Sequence, residues 1–176
     1  MTRFLKVLAI LVLVLTLAGA GAAVYAYRHR MPEAVSSSAD ILSASEREEE
    51  KAAWFRQAED GLFAGTAAEN WKDFEDGDLV FWQCTLRVRN DGFFPAEWIA
   101  LEPQPQAGDV MILPDAQPKV LGARSEGDLA VTVLCTGEAA AKPRELLLSC
   151  TVLGHRETVS YTVTEGKLTR KEGTER

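Results

Sequence analysis

The sequence predicts a mainly β protein: an antiparallel β-sandwich of six or seven strands, preceded by an N-terminal transmembrane helix and a juxtamembrane helix. Three observations carry this expectation. Residues 7–27 form an unbroken uncharged run, residues 46–60 have helix-favouring composition, and from Leu79 onward apolar and polar residues alternate in short segments parted by turn residues. A chain of 176 residues holds one domain plus an anchor, and 47% hydrophobic content with four Trp and seven Phe excludes wholesale disorder. The formal net charge of −7 argues against nucleic acid as a partner, because a nucleic-acid binder needs a basic face.

The charge is unevenly divided. Residues 1–30 carry Arg3, Lys6, Arg28 and Arg30 and no acid, which leaves 15 basic against 26 acidic groups in the remainder. Within the first part, VLAILVLVLTLAGAGAAVYAY runs from Val7 to Tyr27 without a charge. As a helix it would span roughly 31 Å, close to the thickness of a hydrocarbon core. Tyr25 and Tyr27 occupy interfacial positions, and Arg28-His29-Arg30 ends the run. A cleaved signal peptide would use Ala18-Gly19-Ala20 or Ala20-Gly21-Ala22 as its cleavage site. A retained anchor fits better, since cleavage there would leave apolar residues and then RHR at the new terminus. The flanking cations are nearly balanced. The expectation that the C-terminal domain is extracytoplasmic therefore rests on the short N-terminal segment preceding one long domain.

Residues 31–78 read as linker and stalk. Pro32 and Ser36-Ser37-Ser38 suggest a flexible exit from the bilayer. Ser45-x-x-Glu48 fits a capping box, with Ser43-x-x-Glu46 as an alternative, and EREEEKAAWFRQAED then leads to Gly61 as a left-handed cap. The first half of this helix is charged all round, while Trp54 and Phe55 give it an apolar end with which to dock on the domain. Asp76-Gly77-Asp78 has some likeness to a calcium loop. Aligning Gly77 with the sixth loop position, however, puts Lys72, Phe74 and Gln83 where oxygen ligands are required, so no EF-hand forms. No metal or cofactor is expected.

The sandwich is expected over residues 79–165, with 166–176 as a charged, frayed tail. In LVFWQCTLRVRN, Val80, Trp82, Cys84, Leu86 and Val88 alternate with Phe81, Gln83, Thr85, Arg87 and Arg89, and Asn90-Asp91-Gly92 turns the chain. Further strands fall at 97–101, 110–113, 118–121 (a short edge strand), 129–135, 145–153 and 158–163, with Gly154-His155-Arg156-Glu157 as the last hairpin. Six or seven strands spaced in this way match an Ig-like sandwich in size. The Val88-x-Asn90-x-Gly92 turn, with Gly127 before a later strand, resembles small Ig-like modules of bacterial surface proteins of the CARDB and FxLYD types. The resemblance covers residues 79–135, and the FxLYD tetrad itself is absent. It implies an extracellular adhesion or scaffold module without catalytic residues.

Catalytic chemistry is sparse. The only histidines are His29, at the membrane flank, and His155, in turn-forming sequence, and no nucleophile elbow, phosphate loop or HExxH is present. No enzyme is expected. Cys84, Cys135 and Cys150 all fall on inward strand positions, as buried hydrophobes or as one Cys84–Cys150 disulfide plus a free thiol. The surface candidates are Phe93, Phe94 and Trp98, loop aromatics that either plug the end of the core or anchor a partner. The expected function is a membrane-anchored extracytoplasmic module for protein–protein interaction or envelope scaffolding. The alternative is a ligand-binding or sensory ectodomain. Its acidity would make the domain stand off an anionic membrane that its helix holds.

Overall fold

The computed structural model describes residues 2–28, 31–60, 71–74, 78–113, 119–164 and 166–171. The Gly61 cap, His29, Arg30, the Glu75–Gly77 part of the acidic cluster and tail residues 172–176 lie outside the described residues. The chain begins with helix α1 (Thr2–Arg28), within which Leu5–Ala26 is long and apolar enough to cross a membrane. Among the described residues nine strands follow: β1 (Glu33–Ser43), β2 (Leu79–Asn90), β3 (Ala96–Pro103), β4 (Asp109–Leu113), β5 (Lys119–Leu121), β6 (Ser125–Thr136), β7 (Arg144–Val152), β8 (His155–Thr164) and β9 (Lys167–Arg170). Helix α2 (Glu48–Glu59) lies between β1 and β2, and the single-turn α3 (Gly137–Ala140) between β6 and β7.

Two antiparallel sheets result, ordered β1-β2-β6-β4 and β5-β3-β7-β8-β9. Their facing sides form the main core. One sheet contributes Trp82, Cys84, Leu86, Val88, Leu129, Val131 and Val133, and the other Ile99, Leu101, Leu146, Leu148, Tyr161 and Val163. The alternation read from the sequence sets this inward face, because successive strand residues point to opposite sides of a sheet. The outer face of the first sheet is also covered at the Leu79–Phe81 end. Phe81, Leu79, Val110, Met111 and Leu134 pack there against Ala44, Trp54 and Phe55 in a second cluster. Trp54 meets Phe81 edge-on with ring centroids 5.2 Å apart, so α2 docks through the residues its apolar end offers.

Several expectations are corrected. Residues 33–43 are not a flexible exit but strand β1, paired with β2 from Glu33↔Arg89 to Ser43↔Val80. Its period-two signal is faint because the half-buried positions are small, Ala34, Ser37 and Ala39 among them; the ladder to β2 supplies what side-chain burial does not. The sandwich thus starts at Glu33 rather than residue 79. It also runs past 165, because Lys167–Arg170 pairs with Tyr161–Thr164 as β9. The capping boxes do not form. Ser43 and Ser45 share a 2.8 Å hydrogen bond, residues 44–47 make a 3-10 turn that buries Ala44, and α2 starts at Glu48 with no side-chain cap. The last hairpin turns at Leu153-Gly154, tighter than expected, with Val152 opposite His155.

The link from α1 to the sandwich is short. Four residues separate Arg28 from Glu33, and the five steps between them reach at most roughly 18 Å when fully extended. No stalk intervenes, because α2 lies beyond β1 and packs back on the sheet.

Candidate functional site at the helix-proximal end

The strand registers gather three turns at the end of the sandwich nearest α1: residues 91–95 after β2, residues 122–124 before β6, and Leu153-Gly154 after β7. Asn90 organises the first two. Its side chain is 1% exposed. Oδ1 accepts the Gly92 N–H at 2.9 Å, closing the turn, and Nδ2 donates to the carbonyls of Phe94 (2.9 Å), Leu121 (3.2 Å) and Gly122 (3.0 Å). The residue read from sequence as a turn former is therefore a fully engaged clamp between two loops.

On this frame the aromatics are displayed rather than buried. Phe93 is 49% exposed, Phe94 40% and Trp98 66%, so none of them plugs the core. Phe93 and Phe94, with Val152, Leu153 and His155, form one wall of an open groove of about 880 Å³. The other wall is Ala22, Ala23 and Ala26 of α1. Tyr25 meets Phe93 edge-on at 5.4 Å, and the Arg124 guanidinium lies 5.1 Å over the same ring. Arg124 also borders a polar recess with Tyr25, Arg89, Asp91 and Glu126, in which Arg89 pairs with Asp91 at 2.8 Å. Trp98 is not part of the groove. It sits where β3 slips against both neighbours, between Ala96 and Ile99 opposite β5 and between Glu97 and Ala100 opposite β7, with a positive φ of 53°.

His155 opens β8 as an exposed residue of the groove wall, not as a turn residue. The three cysteines are free and buried, so no Cys84–Cys150 bridge is present. Burial pushes each thiol up to about 11; at Cys135 the Arg144 guanidinium offsets part of that rise. Cys150 Sγ lies 3.3 Å from Met31 Sδ, which ties the segment entering β1 to the second sheet. Among the described residues, no group of three or more His, Cys, Asp or Glu is placed to hold a metal ion.

At the opposite end lies a feature that sequence patterning missed. Arg144 and Asp109 form a two-pronged ion pair with N–O distances of 2.6 and 2.7 Å, and their side chains are 1% and 0% exposed. The guanidinium also stacks 4.9 Å over Trp82, and Asp109 accepts the Gln106 N–H at 3.0 Å. Arg144 follows Pro143 at the head of an apolar run and Asp109 follows Gly108, positions that read as polar loop. The pair pins the β4 and β7 starts across the two sheets and is structural.

Fold and site together define a β-sandwich carried on an N-terminal apolar helix, with an apolar groove where the two meet. The sequence matches no family model and no curated protein.

Proposed function

We propose that this protein is a single-pass, membrane-anchored module, extracytoplasmic and Ig-like, that serves protein–protein interaction or envelope scaffolding rather than catalysis. The observation that carries the reading is the near-direct passage from an apolar span of bilayer length into the first strand of a two-sheet domain. The strand order supports the Ig-like assignment. Taken in sequence, β1, β2, β3, β4, β6, β7 and β8 follow the constant-type pattern of one A-B-E-D sheet and one C-F-G sheet, with β5 and β9 added at the edges of the second. Trp98, exposed beside edge strand β5, is the candidate contact for a protein partner.

Protease treatment of intact cells tests the placement. External protease should remove the domain and leave α1 in an alkali-resistant membrane fraction; protection of the domain until the membrane is opened would overturn it. A photo-crosslinking amino acid in place of Trp98 tests the interaction role. A discrete adduct supports it, whereas crosslinks to lipid or water alone count against it.

A further inference from the structure

We propose that the Phe93-Phe94 turn and the Leu153 hairpin tip insert into the interfacial layer of the bilayer that α1 spans, so that the domain rests on the membrane through this end. The inference builds on the anchor reading above and adds a second, reversible contact to it.

Three independent observations converge. The first is reach: the five steps from Arg28, the last residue of α1, to Glu33 keep the start of β1 within roughly 18 Å of the end of the helix. The second is level. The groove places Phe93, Phe94 and Leu153 beside Ala22, Ala23 and Ala26, which lie in the last turns of the apolar stretch that is long enough to cross a membrane. Ala22 lies roughly 6 Å deeper along the helix, a depth typical of side chains seated at the headgroup–acyl boundary.

The third observation is the chemistry of the tips. Leu153 occupies the left-handed region at φ 50°, followed by Gly154 at 79°, a two-residue hairpin turn in which Asn, Asp or Gly is the ordinary occupant. A branched apolar residue held in that conformation and 67% exposed is unfavourable in water on both counts. Contact with lipid removes the second penalty. Phe93 brings a ring capped by Arg124, an apolar body with a cation at its edge, the combination suited to a phosphate-bearing surface. Asp91 and Glu126 share the Arg124 recess, and the domain as a whole is acidic. Insertion therefore draws on the apolar tips and does not require anionic lipid.

The full chain in phosphatidylcholine nanodiscs provides the test. Phe94→Cys, or Leu153→Cys should the first fail to fold, is labelled with an environment-sensitive fluorophore; the buried native thiols stay unlabelled in the folded protein. Ala141→Cys at the far end and Leu13→Cys in the span serve as references, position 13 being read with lipid that carries its nitroxide deep in the acyl chain. Nitroxide lipid labelled near the headgroup should quench the probe at position 94 or 153 roughly twofold or more, and leave position 141 unaffected. A probe at 94 or 153 that remains water-exposed while position 13 is quenched overturns the insertion and leaves the anchor standing. A probe shielded from water but not quenched by lipid assigns the groove to a protein, a second copy included, and also overturns it. Loss of quenching at position 13 overturns the anchor and the insertion together.

Discussion

The Asn90 clamp gives the sharpest stability prediction. Asn90→Asp keeps the shape of the side chain and the acceptor for Gly92 N–H, but removes both protons of Nδ2. Those protons now serve three carbonyl oxygens at 2.9–3.2 Å in a site 1% exposed. The variant would set a carboxylate against the same three oxygens with no water to screen them. Asn90→Ala loses the whole set of contacts, which at about 1 kcal/mol each amounts to about 3–4 kcal/mol. Asn90→Asp should cost as much or more at neutral pH, about 3–5 kcal/mol, since it adds a desolvated charge. The introduced carboxyl would titrate above its unfolded value of about 3.9. Its deficit should therefore shrink as the pH falls towards that value and grow as the pH rises. Urea unfolding of the full chain in mild detergent, followed by tryptophan fluorescence at neutral and acidic pH, measures both quantities. An Asn90→Asp protein within about 0.5 kcal/mol of the parent at neutral pH would refute the clamp, because a tolerated carboxylate means the three carbonyls were not relying on Nδ2.

Other outcomes follow from the same geometry. Asp109→Ala strands the Arg144 guanidinium in the core and should cost about 3–5 kcal/mol, whereas Asp109→Leu with Arg144→Met should recover most of it; denaturation midpoints of the two variants decide. Gly108 has φ 94°, and a Cβ there would lie 2.6 Å from Thr136 Oγ1 and 2.9 Å from the Ala139 Cβ. Gly108→Ala should therefore cost about 1–3 kcal/mol in the same assay. The three thiols, held up to about 11 by burial against an ordinary 9.0, favour the folded state fully below pH 9. That contribution is lost as pH rises through 11, because the unfolded chain ionises first; melting temperatures across this window should fall less steeply in a Cys84→Ala variant after correction for its own baseline. Trp54→Ala should cost about 3–5 kcal/mol and expose α2 to limited proteolysis ahead of the strands.

Strands with large inward residues were plain in the sequence. β2, β6 and β7 alternate Trp, Leu, Val and Cys strongly enough that the period alone sets their faces, and Trp54 with Phe55 marked the docking end of α2. What escaped was carried by small or polar residues. β1 is stabilised by its ladder and by a hydrogen bond from Ala34 N to the Tyr161 hydroxyl (3.2 Å), neither of which leaves a hydrophobic period. β9 is four residues of KLTR that become a strand only because β8 presents an open edge. Phe81 reads as the wet side of β2 until α2, twenty-odd residues away in sequence, covers it. At the candidate site, Phe93, Phe94 and Trp98 were visible as unusual loop residues, but whether they faced inward depended on the Asn90 clamp and on α1. Leu153 gave no signal, since its peculiarity lies in a backbone angle.

The attachment of α1 to an edge strand also has a mechanical consequence. In the anchored protein proposed above, tension between the membrane and the far end of the domain enters through Glu33 and runs along β1, antiparallel to β2. The ladder bonds lie across that line of pull and are loaded together in shear, not one after another as in peeling. Arg170 of β9, paired with Glu33 (3.2 Å), and the Gly166 carbonyl just before β9, which accepts from Ser37 Oγ (2.8 Å), brace the same strand from the other sheet. A domain hung this way yields to force late and all at once, the behaviour of a tether rather than of a spring.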